Sequence, residues 1–127
     1  MNKRILIIDD DQHVLGALEF LFSEEGYLVE AINAAAMVIP TVLKFQPDII
    51  LMDIRLDDGD GRLICDELKN SPITQHLPVI LLTALSYQEI SEFDCLADAI
   101  IGKPYDMQKL LYTVARLSDR STDLFKY

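Results

Sequence analysis

The stretch ILMDIRL, residues 50–56, decides the fold. With Ile49 before them, Ile50, Leu51 and Met52 form an apolar run without helical period. It is too short for a helix of its own and has the pattern of a strand covered on both faces. Asp53 stands where that strand runs out. A carboxylate there either caps the following loop or helix, or lies in the crevice where open α/β sheets place their ligands. For Asp53 alone, capping is the simpler explanation. Two further apolar runs, RILIIDDD (4–11) and VILLTA (79–84), end as abruptly in polar groups. If the three strands are parallel, their ends meet.

Length and composition bound the rest. A chain of 127 residues that is 50% hydrophobic is one domain of ordinary size, able to bury a core without disulfides or structural metal. The formal charge of −10, from 21 acids against 11 bases, leaves no basic run for phosphate neutralisation, so direct nucleic-acid binding is not expected. The longest apolar stretches are strand-sized, which excludes membrane insertion, and MNKRILIIDD shows no cleavage pattern of a signal peptide. A cytoplasmic location is expected. Cys65 and Cys95 lie in apolar helical surroundings and are read as reduced, buried thiols without chemistry.

Arg4 to Ile8 is the first strand, stopped by Asp9, Asp10 and Asp11. Three adjacent carboxylates repel and call for solvent or a bound cation. Val14, Leu15, Leu18, Leu21 and Phe22 recur at helical spacing over Gln12 to Glu25, with Gly26 as the residue that ends the helix. Tyr27 to Ile32 alternates as a second strand. Asn33 is placed to cap a helix over Ala34 to Phe45, which Pro40 should kink or break. After the central strand, DDGDG (57–61) reads as a tight acidic loop and Arg62 to Lys69 as a helix. NSPITQHLP (70–78) is loop, and Val79 to Leu82 a strand ending in Thr83 and Ala84. Ser86 caps a short helix to about Leu96, Ala97 to Ile101 is the fifth strand, and Asp106 caps a last helix through Leu117. Residues 1–117 make the domain, and 118–127 a polar tail or the start of a linker.

Strand then helix, repeated five times, implies an α/β fold with a parallel sheet, helices on both faces and right-handed crossovers. The strand-end loops then share one edge, gathering Asp9, Asp10, Asp11, Asp53, Thr83 and Lys103. Carboxylates and oxygen donors make a hard-cation site of the Mg²⁺ type and lack the His and thiolate ligands that Zn²⁺ prefers. A hydroxyl and an ammonium beside it suit a phosphoryl group, with a carboxylate as nucleophile. The loop from Leu56 to Glu67 partly matches a calcium loop, since Asp58, Asp60, Gly61 and Glu67 fall at EF-hand positions. Leu56 holds the first position, where a carboxylate belongs, and a strand enters the loop, so that reading is rejected.

The order DD, then D after ILM, then TA, then KP resembles the receiver domain of two-component response regulators, of the chemotaxis-regulator kind. The resemblance runs to about Leu117 and implies a flavodoxin-like (βα)5 three-layer sandwich, a parallel five-stranded sheet in the order 2-1-3-4-5. It implies that Asp53 accepts the phosphoryl group and that Asp10 ligates Mg²⁺ directly, Asp9 through water and Arg55 by its backbone carbonyl. Thr83 matches the hydroxyl that moves to the phosphoryl group and Lys103 its cationic partner, while the Lys103–Pro104 bond is expected to be cis. The implied partners are a sensor histidine kinase or phosphotransfer protein and a downstream protein target or fused output domain. Asp11 has no family role and is read as a helix terminus.

Three departures bear on behaviour. Asp57 stands where receivers usually carry proline, Ile100 where they carry a switch tyrosine or phenylalanine, and the interval from Thr83 to Lys103 is short. Two classes of function remain: a phosphorylation-controlled switch with Mg²⁺-dependent self-phosphorylation and autodephosphorylation, and a phosphorylation-independent interaction module on the same fold. The acids, threonine and lysine favour the first, and the missing aromatic sustains the second. No glycine-rich loop supports nucleotide binding, and the first strand lacks the DxD arrangement of haloacid-dehalogenase phosphatases.

Overall fold

The computed structural model describes residues 2–84 and 95–123. Its strands are β1 (Arg4–Ile8), β2 (Leu28–Ile32), β3 (Ile49–Asp53), the short β4 (Arg55–Leu56) and β5 (Gly59–Asp60), β6 (Val79–Thr83) and β7 (Ala99–Gly102). The helices are α1 (Gln12–Glu24), α2 (Val38–Phe45), α3 (Gly61–Lys69) and the C-terminal α4 (Met107–Asp123). Five strands form one parallel sheet in the order β2-β1-β3-β6-β7, which is 2-1-3-4-5 once the β4–β5 hairpin is set aside.

Apolar residues on both sides of β1, β3 and β6 explain this arrangement, because such strands are stable only between two covering layers. Alternation sorts them. Ile5, Ile7, Ile49, Leu51, Ile80 and Leu82 face α1 and α4, meeting Leu18, Phe22, Leu110, Val114 and Leu117. Leu6, Ile8, Ile50, Met52, Val79 and Leu81 face α2 and α3, meeting Val38, Val42, Cys65 and Leu68. Each fully buried Leu or Ile contributes roughly 1.5–3 kcal/mol, so the two layers hold the sheet and fix its register.

The ends of the helices match the sequence in part. Asp11 caps α1, its carboxylate accepting the N–H groups of His13 at 2.9 Å and Val14 at 3.3 Å. Gly26 (φ +91°) follows the end of α1 in the left-handed region, where glycine is unstrained. Asp106 caps α4 through Gln108 and Lys109. The expected cap by Asn33 is not made. A 3-10 turn, Ala35–Met37, precedes α2, and the Asp58 carboxylate takes the N–H groups of Ala35 at 2.7 Å and Ala36 at 3.0 Å. Pro40 neither kinks nor breaks the helix: it lies in the first turn of α2, where a missing N–H forfeits no intrahelical bond.

DDGDG is ordered as the turn and second strand of the β4–β5 hairpin and the first residue of α3, and Asp60 caps α3 by accepting the Arg62 N–H at 2.8 Å. The second strand starts at Leu28, because the Tyr27 N–H is already bonded to the Phe22 carbonyl. The fifth starts at Ala99, with the Asp98 carboxylate holding Lys69 at 2.7 Å and the Val79 N–H at 2.8 Å. The last helix passes Leu117 and continues to Asp123, since SDRSTD contains neither glycine nor proline to stop it. The helix expected from Ser86 to about Leu96 lies almost wholly within residues 85–94, outside those described.

Candidate functional site

Parallel register brings the carboxyl ends of β1, β3, β6 and β7 to one edge. Asp9 follows β1, Asp53 is the last residue of β3 and pairs with Leu82, and Thr83 ends β6 opposite Gly102. Lys103 comes next, its N–H bonded to the Thr83 carbonyl at 2.7 Å. The Lys103–Pro104 bond is cis, as expected from the sequence. Lys103 Nζ lies 3.3 Å from Asp53 Oδ2 and 3.6 Å from Asp9 Oδ2. Asp9, Asp10 and Asp53 can each offer a carboxylate oxygen within 4.8 Å of the other two. Thr83 is buried at the same edge. The Arg55 N–H donates to the Asp53 carboxylate.

These surroundings shift the titration of the acids. Burial pushes the Asp9 carboxyl up, and the charges of Asp53 and Asp10 add to this against the opposing Asp11 N–H and Lys103. Burial also pushes Asp53 up, with Lys103 and the Arg55 N–H offsetting part of it. Burial alone would favour neutral Lys103, but Tyr105, Asp53 and Asp9 outweigh it and hold the ammonium above its ordinary value. Asp9 Oδ1 accepts the Asp11 N–H at 2.9 Å, whereas Asp9 Oδ2 is buried without a hydrogen-bond partner. A buried carboxylate oxygen that accepts no hydrogen bond, within an all-oxygen set, fits a hard divalent cation of the Mg²⁺ kind. Asp9, Asp10 and Asp53 are the residues that could hold it.

The sign of the pH effect follows. Asp9 and Asp53 bind protons more tightly folded than unfolded, so stability falls as pH rises from the ordinary carboxylate value of 3.8 through their raised values. Above that window the deficit is constant, and Mg²⁺ at neutral pH should relieve it. At a hundredfold excess over Kd a site-bound ion stabilises by about 2.7 kcal/mol, a rise of several degrees in Tm. Melting curves with and without MgCl2 should show this gain at pH 7 and its loss on acidification. An equal gain at both pH values would contradict it.

Four further residues bear on this edge. Gly61 opens α3 with its N–H bonded to the Ile54 carbonyl at 2.7 Å, and a Cβ there would collide with the backbone of Asp53 and Ile54. Tyr105 packs on the α1 side of the sheet, its hydroxyl buried near Lys103 but not at hydrogen-bonding geometry. Burial pushes that phenol up to about 12, against the pull of the Lys103 charge. Asp57 stands at the hairpin turn, where the nearby Asp10 carboxylate pushes its carboxyl above the ordinary range. Ile100 lies on β7 opposite Leu81 and is 36% exposed.

Comparison with known proteins agrees with this geometry. Residues 5–115 match the response regulator receiver domain. The chain is 34% identical over 124 residues to the DNA-binding dual master transcriptional regulator RpaA of Synechocystis, covering 93% of this chain and 50% of RpaA. It is 32% identical over 120 residues to the response regulator PleD of Caulobacter vibrioides, covering 93% of this chain and 26% of PleD. It thus spans half or less of the length of these two relatives. Among solved structures, the CheY-like receiver domain protein of Methanospirillum hungatei superposes with a TM-score of 0.87 at 28% identity, covering 97% of this chain and 98% of that one. The receiver domain of a Syntrophus aciditrophicus signal transduction histidine kinase gives 0.86 at 31% identity, covering 92% and 90%. With the strand order, the acidic edge and the lysine beside it, these matches show that the chain belongs to the response regulator receiver domain family.

Proposed function

We propose that Asp53 accepts a phosphoryl group from a sensor histidine kinase or phosphotransfer protein, with Mg²⁺, and that the modified domain binds a downstream target or fused output domain differently. The observation that carries this reading is the position of Lys103 Nζ, within 3.3 Å of Asp53 Oδ2 and 3.6 Å of Asp9 Oδ2. One cation beside two buried acids suits charge that arrives on a transferred group. An Asp53 carboxylate oxygen attacks phosphorus, the new O–P bond forms as the P–N bond to the donor imidazole breaks, and the imidazole takes up a proton as it leaves. Lys103 and the Thr83 hydroxyl then hold the phosphoryl oxygens, and water later hydrolyses the acyl phosphate. Asp10, Asp53 and the Arg55 carbonyl, with Asp9 through water, would hold Mg²⁺, which would supply neutralising charge for the same oxygens.

Residues 1–117 serve in this reading as the receiver and 118–127 lead out of it, in the cytoplasm. No helix among the described residues is long and apolar enough to cross a membrane. Treatment with acetyl phosphate and Mg²⁺ should place one phosphoryl group on the peptide carrying Asp53. An unmodified protein, or modification elsewhere, would overturn the reading. Ile100 favours a second possibility, an interaction module that works without phosphate, since a branched aliphatic chain has no ring to bury.

If the switch operates, its movement has to bypass residue 100. Tyr105, with its orphaned hydroxyl near Lys103, is placed to carry it, together with the segment from Leu85 to Glu89, which lies outside the described residues. Amide shifts on adding beryllofluoride should be larger at Tyr105 than at Ile100. A dominant change at Ile100 would show the switch to be elsewhere.

A further inference from the structure

The main chain between Asp53 and α3 is fastened at two places. At its base the Ile54 N–H is bonded to the Leu82 carbonyl at 2.9 Å and the Gly61 N–H to the Ile54 carbonyl at 2.7 Å. At its tip, in the turn of the β4–β5 hairpin, Asp58 reaches a different element: Oδ1 accepts the Ala35 N–H at 2.7 Å and Oδ2 the Ala36 N–H at 3.0 Å. Those N–H groups belong to the 3-10 turn that leads into α2. Gly59, beside Asp58, packs on the same residue so closely that a Cβ there would stand 2.8 Å from Ala35 Cβ. A carboxylate that takes two consecutive main-chain N–H groups makes a charge-assisted, directional contact. The same two bonds hold the Asp58 carboxyl below its ordinary value, so it is ionised at neutral pH.

Arg55 lies between these fastenings. It follows Asp53 by two residues and pairs with Asp60 in the hairpin ladder, so its main chain goes where the hairpin goes. Each strand of that hairpin has only 2 residues, and a two-stranded ribbon on its own is marginal in water. Its placement therefore depends on what it is tied to. We infer that Asp58 is a positioning residue for the phosphorylation site: by bonding the two N–H groups at the entrance of α2 it holds the β4–β5 hairpin, and with it the Arg55 main chain, against Asp53. This rests on the proposed function above, in which the Arg55 carbonyl is a ligand of Mg²⁺. A carboxylate that only capped α2 would leave the chemistry at Asp53 untouched when removed.

Three variants of the whole chain test it, each studied well below its melting temperature. Asp58→Ala removes both acceptor oxygens, Asp58→Asn removes the charge but keeps an amide oxygen for one N–H, and Asp48→Ala removes a carboxylate that accepts the Arg4 N–H at 2.8 Å on the opposite edge of the sheet. The measurements are hydrogen exchange at the Arg55 amide without metal, the Kd for MgCl2 by calorimetry, and the rate of modification by acetyl phosphate at saturating Mg²⁺. A displacement of about 1 Å slows a positioned reaction by about a hundredfold, so a partly released hairpin in Asp58→Ala should slow modification about tenfold, weaken Mg²⁺ about three- to tenfold and speed exchange at Arg55. Asp58→Asn should recover a large part of each loss, and Asp48→Ala should match wild type in all three. Asp58→Ala with all three values as in wild type overturns the role of Asp58. So does an Asp58→Asn as impaired as Asp58→Ala, because the effect is then one of charge and not of the hydrogen bonds. Where wild type binds Mg²⁺ and is phosphorylated on Asp53, either failure leaves the receiver reading standing. A wild type that binds no Mg²⁺ removes both.

Discussion

Asp53→Asn, incubated with acetyl phosphate and Mg²⁺, should gain no phosphoryl group by intact mass under conditions in which wild type gains one. An amide oxygen is a poor nucleophile and carries no charge for Lys103, so the reaction loses both its attacking atom and the ion pair that aligns it. The substitution should leave the fold in place. Burial already disfavours the Asp53 carboxylate, so an uncharged isostere there should melt at the same temperature as wild type or above it. Lost phosphorylation with an intact melting curve isolates the chemistry. Equal adducts in the two proteins would remove Asp53 as the acceptor.

Gly61→Ala should damage both stability and phosphorylation, although residue 61 has no group that reacts. The added Cβ meets the Asp53 carbonyl oxygen, with Ile54 Cα at 3.1 Å and the Asp53 carbonyl carbon at 3.2 Å, all of them backbone atoms. They cannot swing aside as a side chain would. Asp53 is paired to β6, the Ile54 N–H is bonded to the Leu82 carbonyl at 2.9 Å, and the Gly61 N–H to the Ile54 carbonyl. Overpacking of this kind costs about 1–3 kcal/mol or more, and a displacement of even 1 Å at the nucleophile slows a positioned reaction by about a hundredfold. Gly16→Ala is the control. Nothing lies within 4 Å of a Cβ at Gly16 in the middle of α1, so that change should stabilise by roughly 0.5–1 kcal/mol. If Gly61→Ala melts and phosphorylates like wild type, the close approach is not a constraint.

The strands of the sheet were legible because their composition is unambiguous. IILMD and VILLT have no helical period and too few residues for a helix, and both emerged as fully buried central strands. The gathering of Asp9, Asp53, Thr83 and Lys103 then follows from parallel register alone. What stayed hidden depended on contacts between segments distant in sequence. Asn33 is a good cap by type, yet Asp58, 23 residues from Ala35, takes the position, because the hairpin turn happens to reach the start of α2. Pro40 is disruptive only in a helix that begins at Ala34, and the helix begins four residues later, at Val38. Gly61 resembled ordinary turn glycine, and its crowding against Asp53 exists only once α3 is packed on the sheet. Asp57 reads as an extra acid in a loosened loop, whereas it stands in the ordered turn of the β4–β5 hairpin.

The bond from the Lys103 N–H to the Thr83 carbonyl limits the manner in which this edge can respond. On one side β7 holds Thr83, and on the other the Leu82 carbonyl before it holds Ile54. With its main chain fixed from both directions, the Thr83 hydroxyl can change place only by rotation about χ1, and a β-branched side chain has few staggered wells to choose from. The motion available there is a jump between discrete rotamers and not a gradual sliding of the strand. Any graded displacement of backbone after phosphorylation therefore has to originate in elements beyond β6.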